Sequence, residues 1–202
     1  NDLNSFRGLG QGLLAMASKL GKDKVSCLRC LRLFFDKDYD IEHHADLFHG
    51  IAAHPGIRDL ALNLSRHEKF RDPEVSLLGN ALRHLKCLEK FMLAMTHCIQ
   101  ITKVDKLAEA LLTLPELYHC RLHFTCVCSL SAKSVASLAP VARQLLAKQQ
   151  VLRADKKALI ALKDSFALDL QAIDGLPQHL QASFDNPEAF LRALEGEGSS
   201  SA

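Results

Sequence analysis

The sequence predicts an α/β solenoid, with short parallel strands on a concave side, helices outside and a helical cap at its C-terminal end. Three observations predict it. Four segments of similar pattern begin at Leu47, Leu78, Leu107 and Leu138, so the chain repeats every 29 to 31 residues, a period expected of stacked supersecondary units. Ten positions into the first three, an apolar-x-x-apolar-x-apolar pattern opens, giving the triplets Ile57/Leu60/Leu62, Leu88/Phe91/Leu93 and Leu117/Cys120/Leu122. Each helix-periodic stretch between them follows a residue suited to cap a helix.

In chain order, a further triplet stands at Leu28/Leu31/Leu33, behind a loop lengthened by Gly21-Lys22-Asp23-Lys24, and a degenerate copy is expected at Gln149/Leu152/Ala154. Three residues beyond each last apolar position lies a small polar residue, namely Asp36, Ser65, Thr96 and Thr125. Such side chains can hydrogen-bond the turning backbone. Asp40 precedes the first inter-strand helix, and Asp72-Pro73-Glu74 sets Pro in the first turn of the second. Thr102 with Asp105 resembles a capping box for the third, and Ser131 caps the fourth. Within the third helix Val104, Leu107, Ala108, Leu111 and Leu112 share one face. Beyond Arg153 the repeat fades: an amphipathic helix is expected over 156–173, a break at Asp174-Gly175 and Pro177, and a last helix from Asn186-Pro187-Glu188 through Leu194. The chain thus divides into a solenoid of about five repeats at 1–155, a helical cap at 156–195 and a disordered tail at 196–202.

An all-α helical-repeat solenoid is the alternative, because Leu-rich runs such as 82–95 also fit a helix. The runs 27–35 and 116–128 are short and bounded by turn or polar residues, and the second is rich in aromatic and thiol side chains, which favours strands. The triplet, its polar residue and the helix that follows resemble the ribonuclease-inhibitor-like class of leucine-rich repeats over about residues 9–147, best at 78–125, although Asn is absent from the polar position in every copy. The resemblance implies an intracellular binding scaffold with a concave parallel sheet and an outer layer of helices.

Composition narrows the function. Lys and Arg number 25 against 23 Asp and Glu, a net charge of +2 that neither demands nor excludes a polyanionic partner. Seven cysteines, an odd number without framework spacing, point to a reducing compartment, cytoplasmic or mitochondrial. No apolar run approaches the roughly 18 residues of a membrane span. The opening Asn1-Asp2-Leu3-Asn4 reads as a fragment boundary or as the product of presequence cleavage.

Catalytic signatures are missing from the sequence. Gly8-Leu9-Gly10-Gln11-Gly12 lies inside a helical pattern rather than after a strand, so it does not read as a nucleotide loop. Glu42-His43-His44 lacks zinc-motif spacing. The cluster His119-Cys120, His123, Cys126 and Cys128, with Cys27-x-x-Cys30, is the strongest metal candidate, yet on a strand His119, Arg121 and His123 point one way and Cys120 the other. His43, His44, His49 and His54 are expected on solvated helix faces. The expectation is a non-enzyme with no cofactor, no metal and no small-molecule substrate.

The register sets three rows on the concave face. The middle row is Arg32, Ala61, Met92, Arg121 and Arg153; its neighbours are Cys30, Asp59, Lys90 and His119, and Phe34, Asn63, Ala94 and His123. Arg32, Phe34, Lys90, Met92, His119, Arg121 and His123 are the candidate partner-binding residues, a mixture enriched at protein interfaces and compatible with RNA phosphates. The expected function is a non-catalytic protein–protein interaction scaffold, a structural subunit of a larger intracellular assembly. The alternative is an RNA-associated subunit of a ribonucleoprotein such as an organellar ribosome, for which 6% aromatic residues and no Trp are a poor stacking inventory. The strand register makes a sharp prediction: Leu122→Asp should lower stability by roughly 3 kcal/mol or more and Arg121→Asp by under about 1 kcal/mol in urea denaturation, and equal losses would reject the register.

Overall fold

A computed structural model describes residues 6–19, 28–35, 42–67, 69–127, 129–153, 166–174 and 176–196. Strands form where the triplets stand: β1 Cys30–Phe34, β2 Asp59–Asn63, β3 Lys90–Ala94 and β4 His119–His123, followed by β5 Phe166–Asp169 and β6 Ser183–Phe184. The strands lie in sequence order in one sheet, the first five parallel and β6 antiparallel. Parallel neighbours require a crossover. Between β1 and β5 the crossovers carry α2 His44–Ala52, α3 Asp72–Leu82, α4 Asp105–Leu112, α5 Ala132–Ala136 and α6 Ala139–Arg153; α1 Arg7–Lys19 precedes β1, and α7 Pro187–Leu194 follows β6. The architecture is therefore α/β, and the all-helical alternative is incorrect. Among the described residues no helix is long and apolar enough to cross a membrane.

Alternation along each strand sorts side chains onto two faces. Leu60, Phe91 and Cys120 align in one core row and Leu62, Leu93, Leu122 and Leu168 in the next. A third buried row, Leu64, Met95, Phe124 and Leu170, continues past the strand ends. There Leu64 N–H donates to Ala94 O at 2.8 Å, Met95 N–H to His123 O at 2.9 Å and Phe124 N–H to Asp169 O at 2.9 Å.

The polar positions then turn the chain. Thr96 N–H donates to the Ser65 hydroxyl at 3.2 Å, and the Thr125 hydroxyl donates to Asp169 at 3.0 Å. Immediately afterwards Arg66, His97 and Cys126 adopt left-handed φ values of 63°, 60° and 58°. A left-handed non-glycine residue costs about 1–2 kcal/mol. It is held here because each N–H reaches the adjacent unit's carbonyl: Arg66 to Thr96 O at 2.7 Å, His97 to Thr125 O and Cys126 to Gln171 O at 3.0 Å.

Several local expectations need correction. Thr102 does not cap its own helix: α4 starts at Asp105 after Val104, without a side-chain cap. Thr102 N–H and Lys103 N–H instead donate to the Asp72 carboxylate of the preceding helix at 2.7 and 3.0 Å, so one acid satisfies the turn of the next unit. Helix α2 starts at His44, after a left-handed His43; Asp36 and Asp40 lie outside the described residues. Ser131 and Asn186 do cap, accepting from Ser134 N–H at 3.2 Å and Ala189 N–H at 2.8 Å. The expected copy at Gln149/Leu152/Ala154 is helical as far as Arg153, which belongs to α6. The helix expected over 156–173 is incorrect at its described end, because Phe166–Asp169 is strand β5. Phe166, Leu168 and Leu170 alternate at period two, and β4 offers them a ladder.

At the N-terminal end, α1 and α2 cross backbone to backbone. A Cβ on Gly10 would collide with the Asp46 carbonyl, and one on Gly50 would stand 2.7 Å from Gly10 O. The glycine-rich stretch thus serves helix packing. Beneath it, histidines occupy core slots that later repeats fill with aliphatic residues or a thiol: His44 where later repeats have Val75, Val104 and Val135, His54 for Leu85 and Leu114, and His67 for Cys98 and Val127. His44, His54 and His67 are 5%, 0% and 1% exposed, which corrects the solvated placement of His44 and His54. The apolar spacing of His44 with Leu47, Phe48 and Ile51 on one helical face was the signal for it. His54 is satisfied by Leu13 O at 2.9 Å. His44 packs edge-on against Phe6 and Phe70, its ring 5.9 Å from that of His67. Burial, followed by the neighbouring His67 and His43, pushes the His44 pKa down to about 4, and burial also lowers that of His67.

Two outcomes follow. Gly10→Ala should cost about 2–3 kcal/mol in urea titration, by backbone displacement, whereas Gly8→Ala, with nothing within 4 Å of its Cβ, should gain up to about 1 kcal/mol. Because the folded-state pKa of His44 lies below its unfolded value of about 6.5, the unfolded chain binds the proton first. Its contribution is therefore complete above pH 6.5 and lost as pH falls towards 4. Unfolding free energy should drop by about 2 kcal/mol between about pH 7 and pH 5, and His44→Phe should flatten that slope; an unchanged slope would show that His44 titrates normally.

Candidate functional site

The register places the expected face residues together. Reading across the strands, Cys30, Asp59, Lys90 and His119 align, as do Arg32, Ala61, Met92, Arg121 and Ala167, and Phe34, Asn63, Ala94, His123 and Asp169. Ala167 takes the position expected for Arg153. Strands β5 and β6 add Asp169 and Ser183 to this face; Asp169 lies where a helix is expected from the sequence, and Ser183 joins the face only through its pairing with Asp169.

At the centre of the face lies a pocket of about 290 Å³ lined by Arg32, Phe34, Asp59, Ala61, Lys90, Phe91, Met92, His119 and Arg121. It has a physical origin. Ala61, 4% exposed, stands in the middle row between Arg32 and Met92 and leaves a dent between these larger neighbours. Phe34, 57% exposed, and Met92 supply apolar walls. Arg32, Lys90 and Arg121 bring three cations against one anion, Asp59, so the pocket is electropositive. Asp59 accepts from Arg32 Nη2 at 2.6 Å and fixes that guanidinium over the β1–β2 boundary. The seventh expected residue, His123, stands outside the pocket, 3.9 Å from Asp169. Asp169 also accepts from the Thr125 and Ser183 hydroxyls at 3.0 Å, which ties that end of the face into a polar cluster.

The metal candidate does not converge. Cys120 is fully buried on the core side and burial pushes its thiol up to about 12, while His119 and His123 lie on the opposite face with Arg121 between them. Among the described residues no group of three or more His, Cys, Asp or Glu side chains is arranged to hold an ion. Cys27 and Cys128 lie outside the described residues. Cys98 is another core thiol, raised to about 11 by burial and donating to Leu64 O at 3.1 Å.

A second cleft, of about 430 Å³, runs between α6 and the turn before β4, lined by Pro115, Glu116, Tyr118, Ala147, Lys148 and Val151. Its cation is occupied structurally: Lys148 Nζ donates to Pro115 O at 2.6 Å and Leu117 O at 2.8 Å. The open sheet face is where cationic and exposed apolar side chains meet around one recess. Comparisons of the chain with protein-family models, curated proteins and solved structures gave no match.

Proposed function

We propose that this chain is a non-catalytic protein-interaction scaffold of the leucine-rich-repeat type, a structural subunit of a larger intracellular assembly. It takes an acidic, partly apolar segment of a partner protein on the open, concave face of its sheet. The observation that carries this reading is the pocket floored by Ala61, which joins two apolar walls to three cations. The five-residue strands β1 to β4, the one helix between each successive pair of them and the laddered turns at Ser65, Thr96 and Thr125 support the repeat assignment.

A few anchors dominate binding at such a face. Phe34 and Met92 offer apolar contact, while Arg121 and Lys90 offer charge-assisted hydrogen bonds to carboxylates. A protein partner fits this face better than RNA. Asp59 and Asp169 interrupt it with negative charge, and Phe34 is the one aromatic side chain among its aligned residues. RNA binding would require a denser run of phosphate contacts and stacking platforms.

The test is a photo-crosslinking residue in place of Met92, irradiated in source cells, with and without the double variant Lys90→Glu/Arg121→Glu. One protein should be crosslinked, and the double variant should lower its yield by at least about tenfold, the equivalent of about 1.4 kcal/mol, with the melting temperature unchanged. Crosslinking to RNA would transfer the assignment to a ribonucleoprotein subunit, and a yield unaffected by the charge reversal would place the interface elsewhere.

A further inference from the structure

The two ends of the sheet are finished differently. At the far end β6 is two residues long and antiparallel, and its Phe184 packs edge-on against Phe190 of α7 at 5.5 Å, closing the core. At the near end β1 is a full five-residue strand with β2 on one side. Arg29 O accepts from Arg58 and Asp59 N–H at 2.8 and 3.0 Å, and Phe35 N–H donates to Asn63 O at 2.9 Å. Main-chain groups alternate direction along a strand, so the odd-numbered residues of β1 face β2, and Cys30, Arg32 and Phe34 present their N–H and C=O groups to the open edge. Among the described residues those groups have no strand partner.

The edge also leaves apolar surface uncovered. Leu31 and Leu33 are only partly buried, whereas their row-mates Leu60, Phe91, Leu62 and Leu93 are 0% exposed. Sheet edges are normally blunted by Lys, Pro, a bulge or a covering element. Residues Cys30–Phe34 include no Lys, Pro or Gly. The charge of β1 is positive: Arg32 holds Asp59 on its inner side, yet its side chain stays 59% exposed.

We infer that β1 is an acceptor edge for strand addition, pairing with an extended partner segment of alternating apolar and acidic residues. Main-chain hydrogen bonds to Cys30, Arg32 and Phe34 supply the pairing. The segment's apolar side chains cover Leu31 and Leu33, and an acidic side chain on the other face lies beside Arg32. A second copy of this chain is the poorer occupant, because a centred antiparallel pairing of two β1 strands sets Arg32 against Arg32. The edge shares Arg32 and Phe34 with the pocket lining but pairs through main-chain groups, so Lys90→Glu, which alters the pocket alone, separates this inference from the proposed function.

The probe is a fluorescein-labelled peptide of about eight residues alternating Glu and Val, the pattern that strand addition reads. Binding is measured by anisotropy to the wild type, to Cys30→Pro and to Lys90→Glu. Proline at Cys30 removes an outward N–H and leaves the β2 ladder intact. Cys30→Pro should weaken binding by at least about tenfold with an unchanged melting temperature, and Lys90→Glu should bind nearly as the wild type does. A peptide N-methylated along one edge tests the same point on unaltered protein and should not bind. No binding up to about millimolar peptide, or equal binding by the N-methylated peptide, would overturn the inference. So would a concentration-dependent dimer that Cys30→Pro abolishes, which would assign the edge to a second copy.

Discussion

Each strand, turn and helix of this protein depends on the unit beside it, because one repeat leaves an apolar row of its strand and the polar groups of its turn unsatisfied. The parallel ladder resolves both at once. The row Leu62, Leu93, Leu122 and Leu168 is buried only because the strands stand in register, and the same register delivers the N–H groups of Arg66, His97 and Cys126 to the next turn's carbonyls. Asp72 does for the outer turns what Ser65 does for the inner ones, bonding the start of the following helix across the repeat boundary. Cohesion is therefore between neighbours, and among the described residues it is less complete at β1 than at β6.

That asymmetry organises the functional reading. The core side of the sheet is filled by large aliphatic and aromatic residues with no room to vary. The opposite side bears no packing constraint, and there a small residue, Ala61, beside Phe34, Met92 and three cations makes a recess. The N-terminal unit departs from the rest in two ways: its core slots hold His44, His54 and His67, and among the described residues its five-residue strand pairs on one side alone. In that unit the buried His44 ties stability to pH.

The sequence made much of this legible, for physical reasons that differ along the chain. Strands β1 to β4 were readable because a buried parallel strand must place apolar residues at fixed offsets, so the triplets and the facing residues Arg32, Met92 and Arg121 came with their register. Strand β5 was not, since the residues around Phe166 satisfy helical spacing as well as alternation and only the exposed edge of β4 decides between them. Asp169 and Ser183 were lost with it. Thr102 looked like a local cap because short-range pattern cannot show that Asp72, a repeat away, would claim its N–H. His44 was misread as solvated from its polarity, although its helical phase with Leu47 and Ile51 pointed inward.

The proposed role of this protein is that of an interaction scaffold built into a larger protein assembly. The most direct test is the sedimentation of the native protein from its source cells at two salt concentrations, with and without ribonuclease. The account predicts a particle much larger than the 22.3 kDa chain that survives ribonuclease. Sedimentation as a free monomer, or collapse of the particle on ribonuclease treatment, would contradict it.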